Sequence, residues 1–290
     1  MTVLRSLLFA PGNDERKVRK VFSLGADAVI LDLEDAVALE EKTKARGHVV
    51  DVLKGKRDSR GYVRVNAYDT EFCYRDLIAV VGPWLDGVVL PKVEGADALR
   101  SVDWLLANIE REQGLEAGTV ELIPIIETAK GLHAAFEIAT AGTRVRRLVL
   151  GGVDLSSDLN LDNPIDEWTL QPARATLVQV SRAAGLDPPI DTVWLDVRDS
   201  DNLEKAAQRA KQMGFLGKAC IHPSQVDVVN RVFSPTDAEV ERAREVVQAF
   251  EESVASGSAA IQLDGHFIDY AVVRKAERTL EIADAIRSRG

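Results

Sequence analysis

Eight short apolar runs, separated by longer stretches with helical periodicity, constrain this sequence more than any single motif. The runs are Leu4–Ala10, Ala26–Leu33, Tyr62–Asn66, Gly87–Pro91, Glu121–Glu127, Arg147–Gly151, Ile190–Leu195 and Lys218–His222. They are continuously apolar rather than cleanly alternating, the pattern of strands covered on both faces. Between them, Ala98–Arg111, Leu132–Ala141, Leu170–Ala184 and Leu203–Met213 carry apolar residues at helix spacing. Eight strands alternating with helices is the count of a (β/α)8 TIM barrel. A doubly wound open sheet shares the alternation, but the count favours the barrel. Sparse aromatics among 46% hydrophobic residues also suit buried parallel strands.

Beyond the eighth run the chain changes character, so the barrel is expected over residues 1–233 and a helical extension over 234–290. No further strand is expected there. Thr236 and Glu239 have the spacing of a capping box, and Val240, Ala243, Val247 and Phe250 then share one helical face. Ala255 to Gly265 reads as a small-residue linker or flap. A last helix carries Val272, Ala276, Leu280, Ala283 and Ile286 on one stripe. That stripe has two readings, packing on its own barrel or on a neighbouring subunit.

With 36 basic and 46 acidic residues the formal charge is 36 − 46 = −10, which argues against nucleic acid or an anionic membrane as a partner. The apolar run Leu4–Ala10 is too short to span a membrane and lacks a signal-peptide cleavage pattern. Cys73 and Cys220 are far apart and read as reduced structural thiols. A cytoplasmic protein is expected.

In a barrel enzyme the chemistry sits where strands end. The expected strand ends carry Pro11-Gly12-Asn13, Asp32-Leu33-Glu34-Asp35, Arg64-Val65-Asn66, Pro91-Lys92, Glu127, Gly151-Gly152-Val153-Asp154 and His222-Pro223. Singly, an Asp there is a helix cap, Lys92 a surface lysine and His222 a satisfied core histidine. Together, carboxylates at one barrel end repel one another unless a cation joins them. Oxygen donors without His or Cys clusters suit Mg²⁺ or Mn²⁺ rather than zinc. A cation held by two carboxylates chelates a 2-keto or 2-hydroxy acid, and Arg64 then pairs with the substrate carboxylate or a developing oxyanion. This arrangement suits cleavage of the bond beside the hydroxyl-bearing carbon.

Several stretches, in order, carry a resemblance. They are Arg5-Ser6-Leu7-Leu8-Phe9-Ala10-Pro11-Gly12, Leu31-Asp32-Leu33-Glu34-Asp35-Ala36-Val37 with Lys42 and Ala45-Arg46, and Val63-Arg64-Val65-Asn66. Leu90-Pro91-Lys92-Val93-Glu94, Ile125-Ile126-Glu127-Thr128, Gly152-Val153-Asp154-Leu155 and Gly214 through Pro223 follow. The set resembles the citrate lyase β-subunit-like branch of the HpcH/HpaI aldolases, with its malyl-, citramalyl- and citryl-CoA lyases. The resemblance implies Glu127 and Asp154 as Mg²⁺ ligands and Arg64 as the keto-acid contact. It implies Asp32 and Glu34 behind the metal, holding waters or orienting Arg64. Asp269 resembles an aspartate lent by a neighbouring subunit to move a proton at the thioester α-carbon. The family implies a homotrimer or homohexamer, a CoA thioester as substrate, and glyoxylate, pyruvate or oxaloacetate as keto acid.

Pro11, Gly12, Lys92 and Arg16 are candidate substrate contacts. Arg16 belongs to a basic run, Arg16-Lys17-Arg19-Lys20, that is otherwise a solvated helix face. After Asp154 the sequence departs from the family near Asn160, so Asp162–Trp168 is expected to shape a different acyl pocket. Trp194 is bulky for the seventh strand. The alternatives are a citrate lyase β subunit acting on a carrier-protein thioester, a thioesterase, or a non-catalytic barrel subunit. The presence of Glu127, Asp154, Arg64 and Asp269 together argues against the last. A chain long enough to hold Asp269 is expected to favour the stand-alone lyase over the subunit form.

Overall fold

The computed structural model describes residues 2–162, 168–255, 257 and 260–288. It divides into two compact units, Leu4–Arg231 and a second made of Val232–Gly290 with Met1–Val3.

The larger unit is a closed barrel of eight parallel strands in sequence order. These are β1 (Ser6–Pro11), β2 (Ala28–Asp32), β3 (Arg60–Arg64), β4 (Gly87–Leu90), β5 (Glu121–Ile126), β6 (Val149–Leu150), β7 (Ile190–Asp191) and β8 (Gly217–Cys220). Ser6 pairs with Lys218 and Leu7 with Ala28, so β1 closes the ring between β8 and β2. Leu7, Ile30, Tyr62, Val89, Ile123, Val149 and Ile190 fill the interior as one buried cluster, a packed core rather than a pore. Helix Ala96–Glu112 buries Leu99, Val102, Leu106 and Ile109 at helix spacing. Helix Ser200–Met213 starts on the Asp199 side chain and stops at Gly214, whose φ of 108° is open to glycine.

β6 and β7 are only two residues long, shorter than the runs Arg147–Gly151 and Ile190–Leu195 suggest. Side chains replace the ladder there: the Gly152 N–H donates to Thr192 Oγ1 at 2.9 Å. Fully buried Arg147 is held by Glu121 and Asp187. The stretch Leu132–Ala141 is two short helices, Ala129–His133 and Ala135–Ala139. Asp162–Trp168 falls largely outside the described residues.

The second unit holds helices Asp237–Ala255 and Tyr270–Arg287. The capping box forms: the Glu239 N–H donates to Thr236 Oγ1, and Glu239 Oε2 accepts the Thr236 N–H. Between the helices lie two strands that the linker reading does not anticipate, β9 (Ile261–Leu263) and β10 (His266–Ile268). Asp264 and Gly265 turn the hairpin with φ of 49° and 78°, the conformation Asp-Gly favours in two-residue turns. The core of this unit is Ala243, Val246, Phe250, Ile268, Val273 and Ala276. The last helix therefore points Val273 inward, while Val272 is 37% exposed.

Candidate active site

β2 and β3 end side by side, with Asp32 paired in register with Arg64. The Asp32 carboxylate accepts both Arg64 Nε and Nη2 at 2.7 Å, a bidentate fork. The same carboxylate accepts the backbone N–H groups of Glu34 and Ala36, which folds the acidic loop back over the strand end. Arg64 Nη1 lies 3.0 Å from Glu34 Oε2 as an ion pair. Its guanidinium also sits 5.3 Å from the Phe9 ring centroid. Burial weakens the Arg64 charge less than Asp32, Glu34 and Glu127 strengthen it, so Arg64 stays firmly protonated. For Glu34, burial raises the pKa despite Arg64 and Lys92.

Glu127 follows β5 directly and is buried. Its Oε1 accepts the Lys92 N–H at 2.7 Å. Gly151, after β6, passes so close that a Cβ there would lie 2.4 Å from Glu127 Oε2. Asp154 stands in the first turn of helix Gly152–Asp158. Burial, then the Asp154 charge, push Glu127 up to about 8, against the Lys92 N–H and Arg64.

A cavity of about 450 Å³ opens at these strand ends. Pro11, Asp32, Arg64, Glu127, Asp154 and Thr192 are among its lining residues, together with Asp35 from the acidic loop. Among the described residues no group of three or more His, Cys, Asp or Glu is placed to hold a metal ion, and Glu127 and Asp154 are a pair. The donors fit such an ion. Glu127 and Asp154 raise one another's energy, and the nearby cations Arg64 and Lys92 are already paired with Asp32, Glu34 and Asp35.

The other expected residues are placed differently. Gly12 is buried, donates its N–H to Asp32 O at 2.8 Å, and has no room for a side chain. The Lys92 ammonium lies on Glu34 Oε1 at 2.5 Å and Asp35 Oδ1 at 3.4 Å, so it is a paired rather than a free surface lysine. Arg16 is exposed on the short helix Glu15–Lys20, where Lys17 and Arg19 pair with Asp14 and Glu15. His222 is exposed rather than in the core, with Nδ1 2.8 Å from the Ser224 hydroxyl. Asp269 belongs to the second unit and caps its last helix, accepting the Ala271 and Val272 N–H groups.

Of the buried support behind the acidic loop, only Asn66 stands at an expected strand end. Lys42 Nζ donates to the Leu33 and Glu34 carbonyls, each at 2.9 Å. Asp76, fully buried, accepts Asn66 Nδ2 and Arg46 Nε at 2.6 Å, and Asn66 also donates to Leu33 O. Lys42, Arg46 and Asn66 stand in the matched stretches, whereas Asp76 is visible only as an acid within the apolar face of helix Cys73–Val80.

The fold and this mouth define a (β/α)8 barrel with a carboxylate-rich, cation-competent site at the strand ends. Within that class, the chain belongs to the HpcH/HpaI aldolase/citrate lyase family, which matches residues 5–223. It is 36% identical to citrate lyase subunit beta of Leuconostoc mesenteroides subsp. cremoris over 97% of this chain and 93% of that protein. It is also 36% identical to a (3S)-malyl-CoA thioesterase of Cereibacter sphaeroides, over 99% of this chain and 96% of that one. Protein CitE from Mycobacterium tuberculosis, solved with magnesium, acetoacetate and coenzyme A, superposes with a TM-score of 0.78 at 31% identity. That match covers 97% of this chain and 98% of the other. Because a citrate lyase β subunit aligns along 97% of this chain, length does not separate the stand-alone form from the subunit form.

Proposed function

We propose that this protein is a Mg²⁺-dependent carbon–carbon lyase, cleaving a 3-hydroxyacyl-CoA thioester of the malyl, citramalyl or citryl type. The observation that carries this reading is one cavity lined by Glu127, Asp154 and an arginine held in a bidentate fork by Asp32. Glu127 and Asp154 would hold the cation, Mg²⁺ with Mn²⁺ as substitute. The bound ion supplies Lewis acidity to the oxygen of the hydroxy-acid half. Arg64 pairs with the carboxylate of that half and steadies the negative charge that grows as the carbon–carbon bond breaks. Asp32 and Glu34 keep the guanidinium aimed, so little reorganisation is needed in the reaction. In the retro-Claisen step the substrate hydroxyl gives its proton to solvent as the carbon–carbon bond breaks to a keto acid and an acyl-CoA enolate, and a protonated Asp269 of a neighbouring copy gives the enolate carbon its proton.

That last role makes the active form a homotrimer or homohexamer. It is supported by Phe267 and Tyr270, which flank Asp269 at 68% and 54% exposure, unusual for aromatic side chains. A cytoplasmic setting is supported by two buried free thiols, Cys73 and Cys220. Among the described residues no helix is long and apolar enough to cross a membrane.

A second reading is favoured by the relatives. The citrate lyase β-subunit likeness supports a carrier-protein thioester, and the malyl-CoA thioesterase likeness supports hydrolysis of the same CoA ester. Incubation with malyl-, citramalyl- and citryl-CoA, with Mg²⁺ or chelator, separates these readings. Keto acid released with an acyl-CoA, and lost with chelator, supports the lyase. Free CoA without keto acid assigns a thioesterase, and silence moves the reading to the carrier-protein substrate. Glu127→Ala is expected to abolish metal-dependent turnover and leave the circular dichroism spectrum intact; full activity in that variant refutes the site.

A further inference from the structure

Only three non-glycine residues among those described have positive φ: Lys92 at 51°, Asn160 at 53° and Asp264 at 49°. Asn and Asp tolerate the left-handed region through local hydrogen bonds, whereas lysine has no such compensation and is disfavoured there about tenfold. Strain of this kind persists where surrounding contacts over-determine it, and here those contacts all belong to the candidate site. β4 ends at Leu90, and two residues later the chain turns left-handed at Lys92. The Lys92 N–H then points across to the end of β5 and meets Glu127 Oε1 at 2.7 Å. On the other side Gly151 closes against Glu127 Oε2. The carboxylate is thus fenced from both sides. The Lys92 ammonium reaches Glu34 Oε1 at 2.5 Å, and Glu34 Oε2 lies 3.0 Å from Arg64 Nη1.

We propose that Lys92 is a positioning residue with two separable arms, its left-handed main chain aiming Glu127 at the cation and its ammonium holding Glu34 against Arg64. The proposal rests on reading Glu127 as a cation ligand. It gives the strained residue a task that a lysine at a strand end does not otherwise need. It also links the metal half of the site to the keto-acid half through a single residue.

The two arms respond to different substitutions. Glycine accepts the left-handed region freely, unbranched methionine follows the surrounding contacts into it, and β-branched valine resists it most. Mn²⁺ binding, read from free Mn²⁺ by electron paramagnetic resonance, is expected to stay within about threefold of wild type in Lys92→Gly and Lys92→Met. In Lys92→Val it is expected to weaken about tenfold. Keto-acid binding to the Mg²⁺-loaded protein is read by calorimetry with pyruvate, glyoxylate and oxaloacetate. It is expected to survive in Lys92→Arg and to weaken at least about tenfold in both Lys92→Gly and Lys92→Met, because Arg64 loses its brace.

Equal Mn²⁺ affinity in the Met and Val variants overturns the main-chain arm, and unaltered keto-acid affinity in Lys92→Met overturns the side-chain arm. Should the Val variant not fold, Lys92→Thr, also β-branched, takes its place. A wild type that fails to bind Mn²⁺, or a Glu127→Ala protein that binds it normally, overturns the metal reading itself. Failure of Lys92 alone leaves that reading standing.

Discussion

Gly151→Ala is the perturbation that tests the metal side of the site most directly. Gly151 has φ of −91° and ψ of 72°, so alanine meets no left-handed penalty and the effect is purely steric. The added Cβ lands 2.4 Å from both Cβ and Oε2 of Glu127 and 2.8 Å from Ile125 Cγ2. Ordinary contact begins at 3.4 Å, so the two Glu127 contacts are too close by 3.4 − 2.4 = 1.0 Å. Glu127 cannot swing clear, because its Cβ is tied to the backbone and its Oε1 to the Lys92 N–H. Nor do the strands part easily, since the Gly151 N–H donates to Ile126 O at 3.0 Å. Relief has to come from moving the carboxylate or spreading β5 from β6.

Overpacking of this kind costs about 1–3 kcal/mol. For a unit of this size that lowers the melting temperature by roughly 2–12 °C. Displacing one of two cation ligands is expected to weaken Mn²⁺ binding by about 10- to 100-fold. The assay pairs thermal melts of the metal-free protein with Mn²⁺ titration. Gly152→Ala is the matched control. Its Cβ meets side-chain atoms of Leu170 and Thr192 at 2.9 Å, which yield more readily and do not include Glu127. It is expected to lower stability while changing Mn²⁺ affinity less than about threefold. A Gly151→Ala protein that melts like wild type and binds Mn²⁺ as tightly refutes the reasoning.

The remaining expectations concern charge and support. In the metal-free protein Glu127 titrates at about 8 rather than its ordinary 4.5, so the native state holds more protons than the unfolded chain across that window. Stability of the metal-free protein therefore falls as pH rises from 4.5 towards about 8, while cation affinity rises over the same range and then levels off. Calorimetry in buffers of different ionisation heat, near neutral pH, is expected to show close to one proton released per cation, and none released refutes it. Lys42→Met removes two buried charge-assisted hydrogen bonds, to Leu33 O and Glu34 O, and is expected to cost about 3 kcal/mol in denaturant unfolding. A loss under about 0.5 kcal/mol shows that the acidic loop stands without it. Asp269→Asn keeps a good helix cap and is expected to change stability by less than about 0.5 kcal/mol. Turnover is expected to fall at least about 100-fold, and a variant that turns over normally removes Asp269 from the proton transfer.

The barrel was legible because both faces of a parallel strand are covered, which leaves uninterrupted runs such as Ala28–Asp32, buried at every position. The gathering of Asp32, Arg64, Glu127 and Asp154 followed from the same geometry, since parallel strands put all their ends at one mouth. Strand length at β6 and β7 was not legible. It depends on Thr192 and Arg147 finding partners far along the sequence, which periodicity does not encode. The hairpin of the second unit had a readable signal in Asp264-Gly265 between Ile261-Gln262-Leu263 and His266-Phe267-Ile268. The surrounding small residues masked it, and strands of three residues give too short a window for alternation to register. The Lys92 backbone and the Gly151 approach leave no mark in a one-dimensional pattern, because both are set by the spacing of strands across the barrel.

The division of charge at the mouth favours one part of this site over another as the seat of the proposed divalent cation. Around the end of β2 stand Asp32, Glu34 and Asp35, and the cations nearest them are Arg64, Lys92 and Lys42. Arg64 pairs with Asp32 and Glu34, Lys92 with Glu34 and Asp35, and Lys42 feels all three carboxylates while bonding the loop carbonyls. Asp76 acts on Lys42 as well and pairs with Arg46, so four acidic and four basic groups offset one another, 4 − 4 = 0, and hydrogen bonds fix their geometry. A cation placed there would have to displace an internal partner. Glu127 and Asp154 form the other part. Among the described residues Glu127 accepts the Lys92 N–H on one oxygen, and Asp154 acts on it as a like charge, against the attraction of Arg64, in a setting from which water is largely excluded. In the metal-free protein burial and the Asp154 charge keep a proton on Glu127 near neutral pH, and a divalent ion that displaced it would neutralise the −2 of the two ionised carboxylates. The paired groups keep Arg64 in place, and Lys92, through its ammonium on Glu34 and its N–H on Glu127, joins them to the carboxylate pair that would take the ion.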